Sequence, residues 1–462
     1  MAWTINNGKL YFNSVLYTGN GGTQSITGVG FQPDWVWLKS RTSTKDHMLF
    51  DAVRGVQKSI RTNQDIVEDT GTGYLTAFGT DGFTLGDNGK VNENSANFAS
   101  WNWLAAGTAP SNTYVVKVVS DTGNKYRFDD FGTSAVTLEI SEGGTFTFDQ
   151  SDSSNSGHPL RFSTTSDGSH GGGSEYTTGV TTNGTPGNAG AYTRITVAAS
   201  APTLYYYCTA HSGMGGQANT PVTNSFSNFA GSIQSNISPN TTSGFSVVTY
   251  TGAGSAGTIG HGLNAIPSMY VVKILSGRTG DWLVYHHAVS ADPQTDFLKL
   301  NAANAVADES TIWNDTAPTS SVFSVGTEAT VSGNSNTFVA YCFAEKQGYS
   351  KFGSYVGNGS ADGSFVYTGF KPAFVIVKGT TGDQWYQHDD KRNPSNLVNK
   401  MLIPNLNYVE ATSTASVLDF LSNGFKLRGT DGSHNASGTT YVYIAFAENP
   451  FTSSAGTPVT AR

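Results

Sequence analysis

The chain has 462 residues, a formal net charge of −8 and only 13% charged residues. A chain of this length exceeds what one hydrophobic core organises, so we expect several domains. The acidic balance, with no basic cluster, argues against nucleic acid and against a membrane as partners. The chain begins without the apolar core of a signal peptide, and no apolar run approaches the about 20 residues that span a bilayer, so we expect synthesis in a cytoplasm.

The composition predicts an all-β protein. The chain contains 54 glycines and 12% aromatic residues, which is typical of many short strands joined by tight turns. The only two cysteines are Cys208 and Cys342, too few for a disulfide framework. We therefore expect packing or assembly, rather than cross-links, to stabilise the fold.

Three parts of the chain repeat one pattern. A tyrosine near the end of an opening strand is followed by a proline, sixteen residues later in the first copy and seventeen in the others. The three pairs are Tyr17 and Pro33, Tyr250 and Pro267, and Tyr355 and Pro372. Each copy closes on an alternating, aromatic-rich segment, at 97–105, 337–344 and 440–447. Such alternation predicts β-strands with one face in a core.

These repeats, and the polar stretches between them, predict six segments. We expect three antiparallel β-sandwich repeats of jelly-roll or lectin-like type at 1–110, 241–347 and 348–452, an inserted module at 111–220, a linker at 221–240 and a C-terminal tail at 453–462. The inserted module has seven candidate strands, at 114–119, 125–128, 136–140, 144–148, 160–163, 191–197 and 203–207. Seven or eight strands are typical of a Greek-key sandwich.

Four residues of the inserted module form a candidate metal site. Cys208, His211 and Met214 follow one another at intervals of three residues, directly after the aromatic strand 204–207. His158 lies about fifty residues upstream, after another predicted strand. One thiolate and two imidazoles with a weak axial thioether form a donor set that suits copper. We therefore predict a metal site at His158, Cys208, His211 and Met214.

The order Cys208-x-x-His211-x-x-Met214 after an aromatic strand resembles the copper loop of the cupredoxins, the amicyanins in particular. The resemblance implies a Greek-key cupredoxin-like sandwich, copper as a possible cofactor and His158 as the first ligand. Alternatively, Cys208 and Met214 fill a core while the histidines cap loops. His170, in a glycine-rich stretch, is a rival ligand, and Pro159 could turn the His158 imidazole away from the other donors.

Other polar and aromatic positions favour structural roles. Asp51, His286 and His388 are interpreted as one repeat position at a polar strand end, although a catalytic role is the alternative. Six tryptophans alternate in short strands, which favours a core over a sugar-stacking surface. They are Trp35, Trp37, Trp101, Trp103, Trp282 and Trp385. Since no catalytic motif is recognisable, we expect that the protein is not an enzyme.

Several runs, at 152–163, 351–363, 420–427 and 445–451, resemble segments of virion structural proteins of tailed bacteriophages, especially marine phages that infect cyanobacteria. The resemblance implies a non-enzymatic virion component, either a tail fibre or a capsid decoration or head fibre, made in the host cytoplasm and serving particle assembly or host attachment. Its expected partners are other virion proteins and further copies of the chain. The alternatives are a receptor-recognition protein that binds a host surface glycan, and a copper-binding redox protein.

Overall fold

A computed structural model describes residues 5–107 and 109–448. Strands account for 41% of the residues and helices for 6%, in several antiparallel sheets, which confirms the predicted all-β class. Within the described ranges, no helix combines the length and the apolar character needed to cross a membrane. The tail predicted at 453–462 lies outside the described residues.

The described chain divides into two compact units. Residues 5–105, 239–257 and 263–448 form the larger unit, and residues 106–238 with 258–262 form the smaller one, residue 108 excepted. Apart from residues 106–110 and 258–262, the described residues of all three repeats belong to the larger unit, so the repeats are parts of one body. The smaller unit contains the inserted module.

The larger unit consists of three similar sandwiches. The strands of the first are Phe12–Thr18, Gln24–Thr27, Trp35–Ser40, Met48–Asp51, Lys58–Arg61, Asp69–Thr70, Leu75–Gly79, Gly82–Leu85 and Asn97–Trp103. Those of the second are Phe245–Thr251, Met269–Ile274, Leu283–His286, Asp296–Lys299, Ala307–Asp308, Val322–Val325 and Thr337–Phe343. Those of the third are Ser350–Val356, Phe365–Tyr367, Phe374–Gly379, Trp385–Asp389, Lys400–Met401, Ala411–Thr412, Leu418–Leu421, Gly424–Leu427 and Thr440–Phe446. The helices are short: Gly8–Leu10, which is 3-10, and Gly89–Asn92, Ser310–Trp313, Ala329–Ser332 and Gly432–Asn435.

The repeated sequence pattern has a structural cause in each sandwich. The closing strand pairs on one side with the opening strand and on the other with the strand that follows the proline. The tyrosine near the end of the opening strand donates its hydroxyl to a carbonyl of a short helix. The pairs are Tyr17 with Val91, Tyr250 with Val331 and Tyr355 with His434, each at 2.7 Å.

The strand register corrects one interpretation of the repeats. Trp35 lies opposite Asp51, and Met269 lies opposite His286. The matching partner in the third repeat is Asp389, opposite Phe374, and not His388. The third repeat has one more residue before this position, so counting from the preceding aspartate selected the wrong neighbour.

The three repeats close into a ring through one hydrogen bond that recurs at every junction. In each case a backbone N–H of one repeat donates to a backbone carbonyl of the next repeat. The accepting residue directly follows the strand that comes after the proline, which is Trp35–Ser40, Met269–Ile274 or Phe374–Gly379. The bonds run from Glu68 to Leu275, from Val306 to Thr380 and from Glu410 to Arg41, at 3.0, 2.9 and 2.9 Å. Since the third bond returns to the first repeat, the larger unit has the connectivity of a threefold assembly within one chain.

One apolar core fills the centre of this ring. It contains side chains from all three repeats, including Trp103, Phe343 and Phe446. All six tryptophans named above are buried, which confirms their expected place in a core. The apolar cavity left between the sheets measures only about 30 Å³, so the three faces pack closely.

The smaller unit is a sandwich of two sheets. One sheet contains Ser111–Ser120, Asn124–Phe128, Thr145–Asp149, Val180–Asn183 and Tyr192–Thr196. The other contains Leu138–Glu139, Leu160–Ser163, Leu204–Cys208 and Gly216–Asn219. Two 3-10 turns, Ser153–Asn155 and Gly168–Gly171, complete it. All seven predicted strands are present, and Val180–Asn183 and Gly216–Asn219 were missed.

The segment expected to be a linker, 221–240, is instead structured. It contains the strands Phe226–Asn228 and Ser235–Asn240, and Phe226 is buried. Tyr114 donates its hydroxyl to the carbonyl of Ser227 at 2.9 Å. The segment 221–240 was predicted to be a linker because it is rich in serine and asparagine, although a few of its apolar residues enter the core. A further strand is Gly257–Gly260.

Candidate metal centre

The pairing of two strands brings the distant histidine to the cysteine. Leu160–Ser163 runs antiparallel to Leu204–Cys208, with Leu160 opposite Cys208. His158 precedes Leu160 by two residues, so it arrives beside the end of the strand that carries Cys208. The contact continues past the strand, since the N–H of Thr209 donates to the carbonyl of Pro159 at 3.1 Å.

Three of the four predicted ligands converge. The sulfur of Cys208 lies 3.8 Å from Nδ1 of His158 and 3.7 Å from Nδ1 of His211. The ligand atoms of the three residues all lie within 4.8 Å of one another. In the described parts of the chain, no other group of at least three His, Cys, Asp or Glu side chains converges in this way.

The burial of the four residues is graded. Cys208 and Met214 are buried, with 0% and 1% of their surface exposed, whereas His158 is half-buried and His211 is exposed. Burial, together with the neighbouring His211 ring, lowers the pKa of His158. A neutral imidazole is the form that binds a metal. An ion would therefore be reached from the histidine side and shielded on the sulfur side.

The distances fit a metal ion between the three donors. Bonds of about 2.3 Å to a thiolate and about 2.0–2.1 Å to each imidazole, at angles of about 110–120°, place sulfur about 3.6–3.8 Å from each nitrogen. The observed separations of 3.7 and 3.8 Å fall within this range. Pro159 thus leaves the His158 imidazole directed at Cys208. Met214 is buried on the same loop as His211, and its backbone carbonyl accepts a hydrogen bond from the N–H of Tyr126.

His170, the rival ligand, has a different position. Its Nε2 lies 3.1 Å from the backbone carbonyl of Cys208, so it contacts the loop rather than joining the three donors. The glycine-rich stretch around it forms the 3-10 turn Gly168–Gly171. A Cβ at Gly168 would lie 2.5 Å from the ring of Tyr207. That close approach requires glycine and holds the turn against the strand that carries Cys208.

Three residues that support the site were not predicted from the sequence. Asp167 accepts a hydrogen bond from the N–H of Gly213 at 2.8 Å, within the ligand loop. Gln150 and Tyr126 both donate to the carbonyl of His158, at 2.9 Å each. The sequence signal for Gln150 is its position close to the candidate ligand His158, because a glutamine that becomes buried needs polar partners. Tyr126 lies in an alternating strand and reads as an ordinary core residue.

Comparison with known proteins assigns a family but no function. No curated protein and no solved structure matches the chain. One family matches residues 7–125 and 217–450, and the stretch between them, 126–216, contains all four predicted ligands. The candidate metal centre is therefore located in a part of the chain that the family pattern does not cover. The chain belongs, by the match over most of its length, to the family described as Domain of unknown function (DUF7483).

Proposed function

We propose that the inserted module binds a copper ion and that the ion has a structural role in a non-enzymatic protein. The observation that carries this proposal is the approach of two imidazole nitrogens to the Cys208 sulfur at 3.7 and 3.8 Å. A soft thiolate with two imidazoles favours copper over harder ions, and Met214 follows on the same loop. Zinc would accept the same three donors, so the metals must be compared directly.

A bound ion would tie two remote parts of the module together. His158 precedes one strand, whereas Cys208, His211 and Met214 belong to the end of another strand and its loop. An ion that binds only the folded state stabilises it by RT ln(1 + [L]/Kd), about 2.7 kcal/mol at a concentration of 100 Kd. Stabilisation of the module is thus the expected consequence of binding.

The test is titration of the metal-free protein with Cu(II), and separately with Zn(II). We expect an intense visible band from thiolate-to-copper charge transfer, a higher melting temperature and tighter binding of copper than of zinc. Cys208→Ser should abolish the band, and Met214→Leu should only shift it, because the axial ligand is weak. Cys342→Ser is the matched control, since Cys342 is the other buried free cysteine. A colourless protein with an unchanged melting temperature would contradict the proposal.

The ring of repeats supports a second proposal, that the whole chain is a structural component of a virus particle, in a tail fibre or a capsid decoration. Three similar sandwiches joined by equivalent hydrogen bonds form one body with threefold connectivity. Such a body presents related surfaces three times, which suits attachment within a symmetric assembly. Glycan binding at a host surface remains the alternative form of this role.

The location is tested by immunogold labelling of phage particles with antibody to this chain. Labelled heads or labelled tails support the proposal and distinguish between its two forms, whereas unlabelled intact particles contradict it. Light scattering on the purified protein tests the expected self-association. Binding of the same protein to host cells, and its loss after removal of surface glycans, would favour the glycan alternative.

A further inference from the structure

One buried tyrosine contacts both of the chain segments that carry the predicted ligands. Tyr126 belongs to the strand Asn124–Phe128 and is 0% exposed. Its hydroxyl donates to the carbonyl of His158 at 2.9 Å. Its backbone N–H donates to the carbonyl of Met214 at 3.0 Å. A single residue therefore links the His158 segment to the loop that follows Cys208.

The side chain of Tyr126 also lies next to the Cys208 sulfur. The direction of its bond to His158 follows from the chemistry of the two groups, because a carbonyl can only accept and the Tyr126 hydroxyl must therefore donate.

The carbonyl of His158 is held from two directions. Gln150 donates to it from the other side, at 2.9 Å, and accepts a hydrogen bond from the N–H of Leu160 at 3.1 Å. The peptide between His158 and Pro159 is thereby fixed in orientation. Since the imidazole is attached through Cβ to the Cα next to that carbonyl, fixing the peptide fixes the direction of the Cα–Cβ bond from which Nδ1 reaches the Cys208 sulfur.

We infer that Tyr126 is a positioning residue of the metal centre, which holds the His158 and Met214 segments at the separation that the Cys208 site needs. The inference rests on the proposed metal binding. Tyr126 touches no ion itself. Without the Tyr126 hydroxyl, the His158 carbonyl keeps only the Gln150 bond, and the ligand set becomes less preorganised before the ion arrives.

The matched comparison is Tyr126→Phe against Tyr114→Phe, both in the full chain. Tyr114 is also fully buried and donates its hydroxyl to a backbone carbonyl, that of Ser227, at 2.9 Å. For Tyr126→Phe we expect about 10-fold weaker Cu(II) binding, with a changed charge-transfer band and changed copper hyperfine splitting. Tyr114→Phe should lower the melting temperature of the metal-free protein but leave affinity and spectra unchanged.

The outcomes separate this inference from the metal site itself. If the unaltered protein shows the copper band and Tyr126→Phe keeps the same affinity and spectrum, the inference fails while the site stands. If the unaltered protein binds no copper, both fail. Equal losses in both tyrosine variants would assign Tyr126 a general structural role and overturn the inference. Gln150→Met serves as a second variant, and we expect it to weaken binding in the same direction.

Discussion

The two units use similar polar side chains in different ways. In the larger unit, buried histidines bond to internal partners: His286 to the carbonyl of Tyr443 at 3.2 Å, and His388 to His434 at 2.9 Å. In the inserted module, the imidazoles of His158 and His211 face one sulfur at distances that leave room for an ion. Residue type alone therefore does not identify a site. What distinguishes the module is that three donors from two remote segments converge on one point.

One buried ion pair recurs in the larger unit, between an aspartate and an arginine three residues later. Asp389 bonds to Arg392, which is 2% exposed, and accepts from Trp101 at 3.1 Å. The first repeat has the same arrangement in Asp51 and Arg54. The repetition of this pair at equivalent positions indicates a structural requirement.

The largest effect is expected from breaking this pair. Asp389→Ala leaves the Arg392 guanidinium buried, with a hydrogen bond to the Gln387 carbonyl at 2.9 Å and, as its remaining acidic partner, Glu410 at the longer distance of 3.4 Å. We expect a loss of about 3–5 kcal/mol in the free energy of unfolding, because an uncompensated buried charge remains. Denaturant unfolding of the two proteins measures the difference.

The control is a pair at the surface of the same repeat. Asp419 binds Arg428, whose side chain is 40% exposed, at 3.1 Å. Asp419→Ala should change the free energy of unfolding by less than about 1 kcal/mol. Similar losses for Asp389→Ala and Asp419→Ala would refute the assignment of a structural role to the buried pair.

The next effect concerns pH and compares the third repeat with the first. Burial lowers the pKa of His434 from 6.5 to about 4 and places that of His388 well below its usual range. Below pH 6.5 these two histidines bind protons in the unfolded chain, whereas in the folded chain they remain neutral. Stability is therefore lost as the pH falls from about 6.5 towards 4, by up to about 1.4 kcal/mol per pH unit for each histidine.

The first repeat supplies the matched replacement. Phe50 and Val91 occupy the positions of His388 and His434, as the strand register and the tyrosine–helix bond show. The double variant His388→Phe, His434→Val should make the pH dependence of unfolding less steep between pH 6.5 and 4, while burial of His47 and His286, whose pKa values are also lowered, maintains the rest of it. An unchanged slope in denaturant unfolding would show that this pair does not titrate with folding.

A smaller effect is expected at a junction between repeats. Trp282 of the second repeat donates its indole N–H to the carbonyl of Arg61 in the first, at 2.9 Å, and shares it with the carbonyl of Gln64 at 3.1 Å. Trp385 of the third repeat donates in the same way to Lys299 of the second, at 2.8 Å. Trp282→Phe keeps most of the apolar contact but leaves a buried carbonyl short of a donor, so we expect a loss of about 1–3 kcal/mol in thermal unfolding. Trp385→Phe should match it, and a clear inequality would mean that the junctions are not equivalent.

The sequence predicted local features better than relationships between distant segments. The opening and closing strands of the repeats could be predicted because burial of one face imposes alternation. The approach of His211 to Cys208 could be predicted because the two residues are only three positions apart. The closure of the repeats into a ring could not be predicted from the sequence. Its donors are Glu68, Val306 and Glu410, and its acceptors are equally unlike one another. A backbone hydrogen bond places no constraint on side-chain type, so the sequence carries no sign of it.

The smallest expected effect tests whether the three repeats are energetically equivalent. The hydroxyls of Tyr17, Tyr250 and Tyr355 each donate to a helix carbonyl at 2.7 Å. Changing any one of them to phenylalanine should lower the free energy of unfolding by about 1 kcal/mol, the usual net value of one hydrogen bond. The three sites lie in different sandwiches and share no partner, so the triple variant should show the sum of the single losses in denaturant unfolding. A disproportionate loss for Tyr355→Phe alone would trace to its acceptor, His434, whose ring takes part in the buried histidine pair. In that case the third repeat would have acquired a polar core of its own, and the similarity of the repeats would extend to their backbone but not to their energetics.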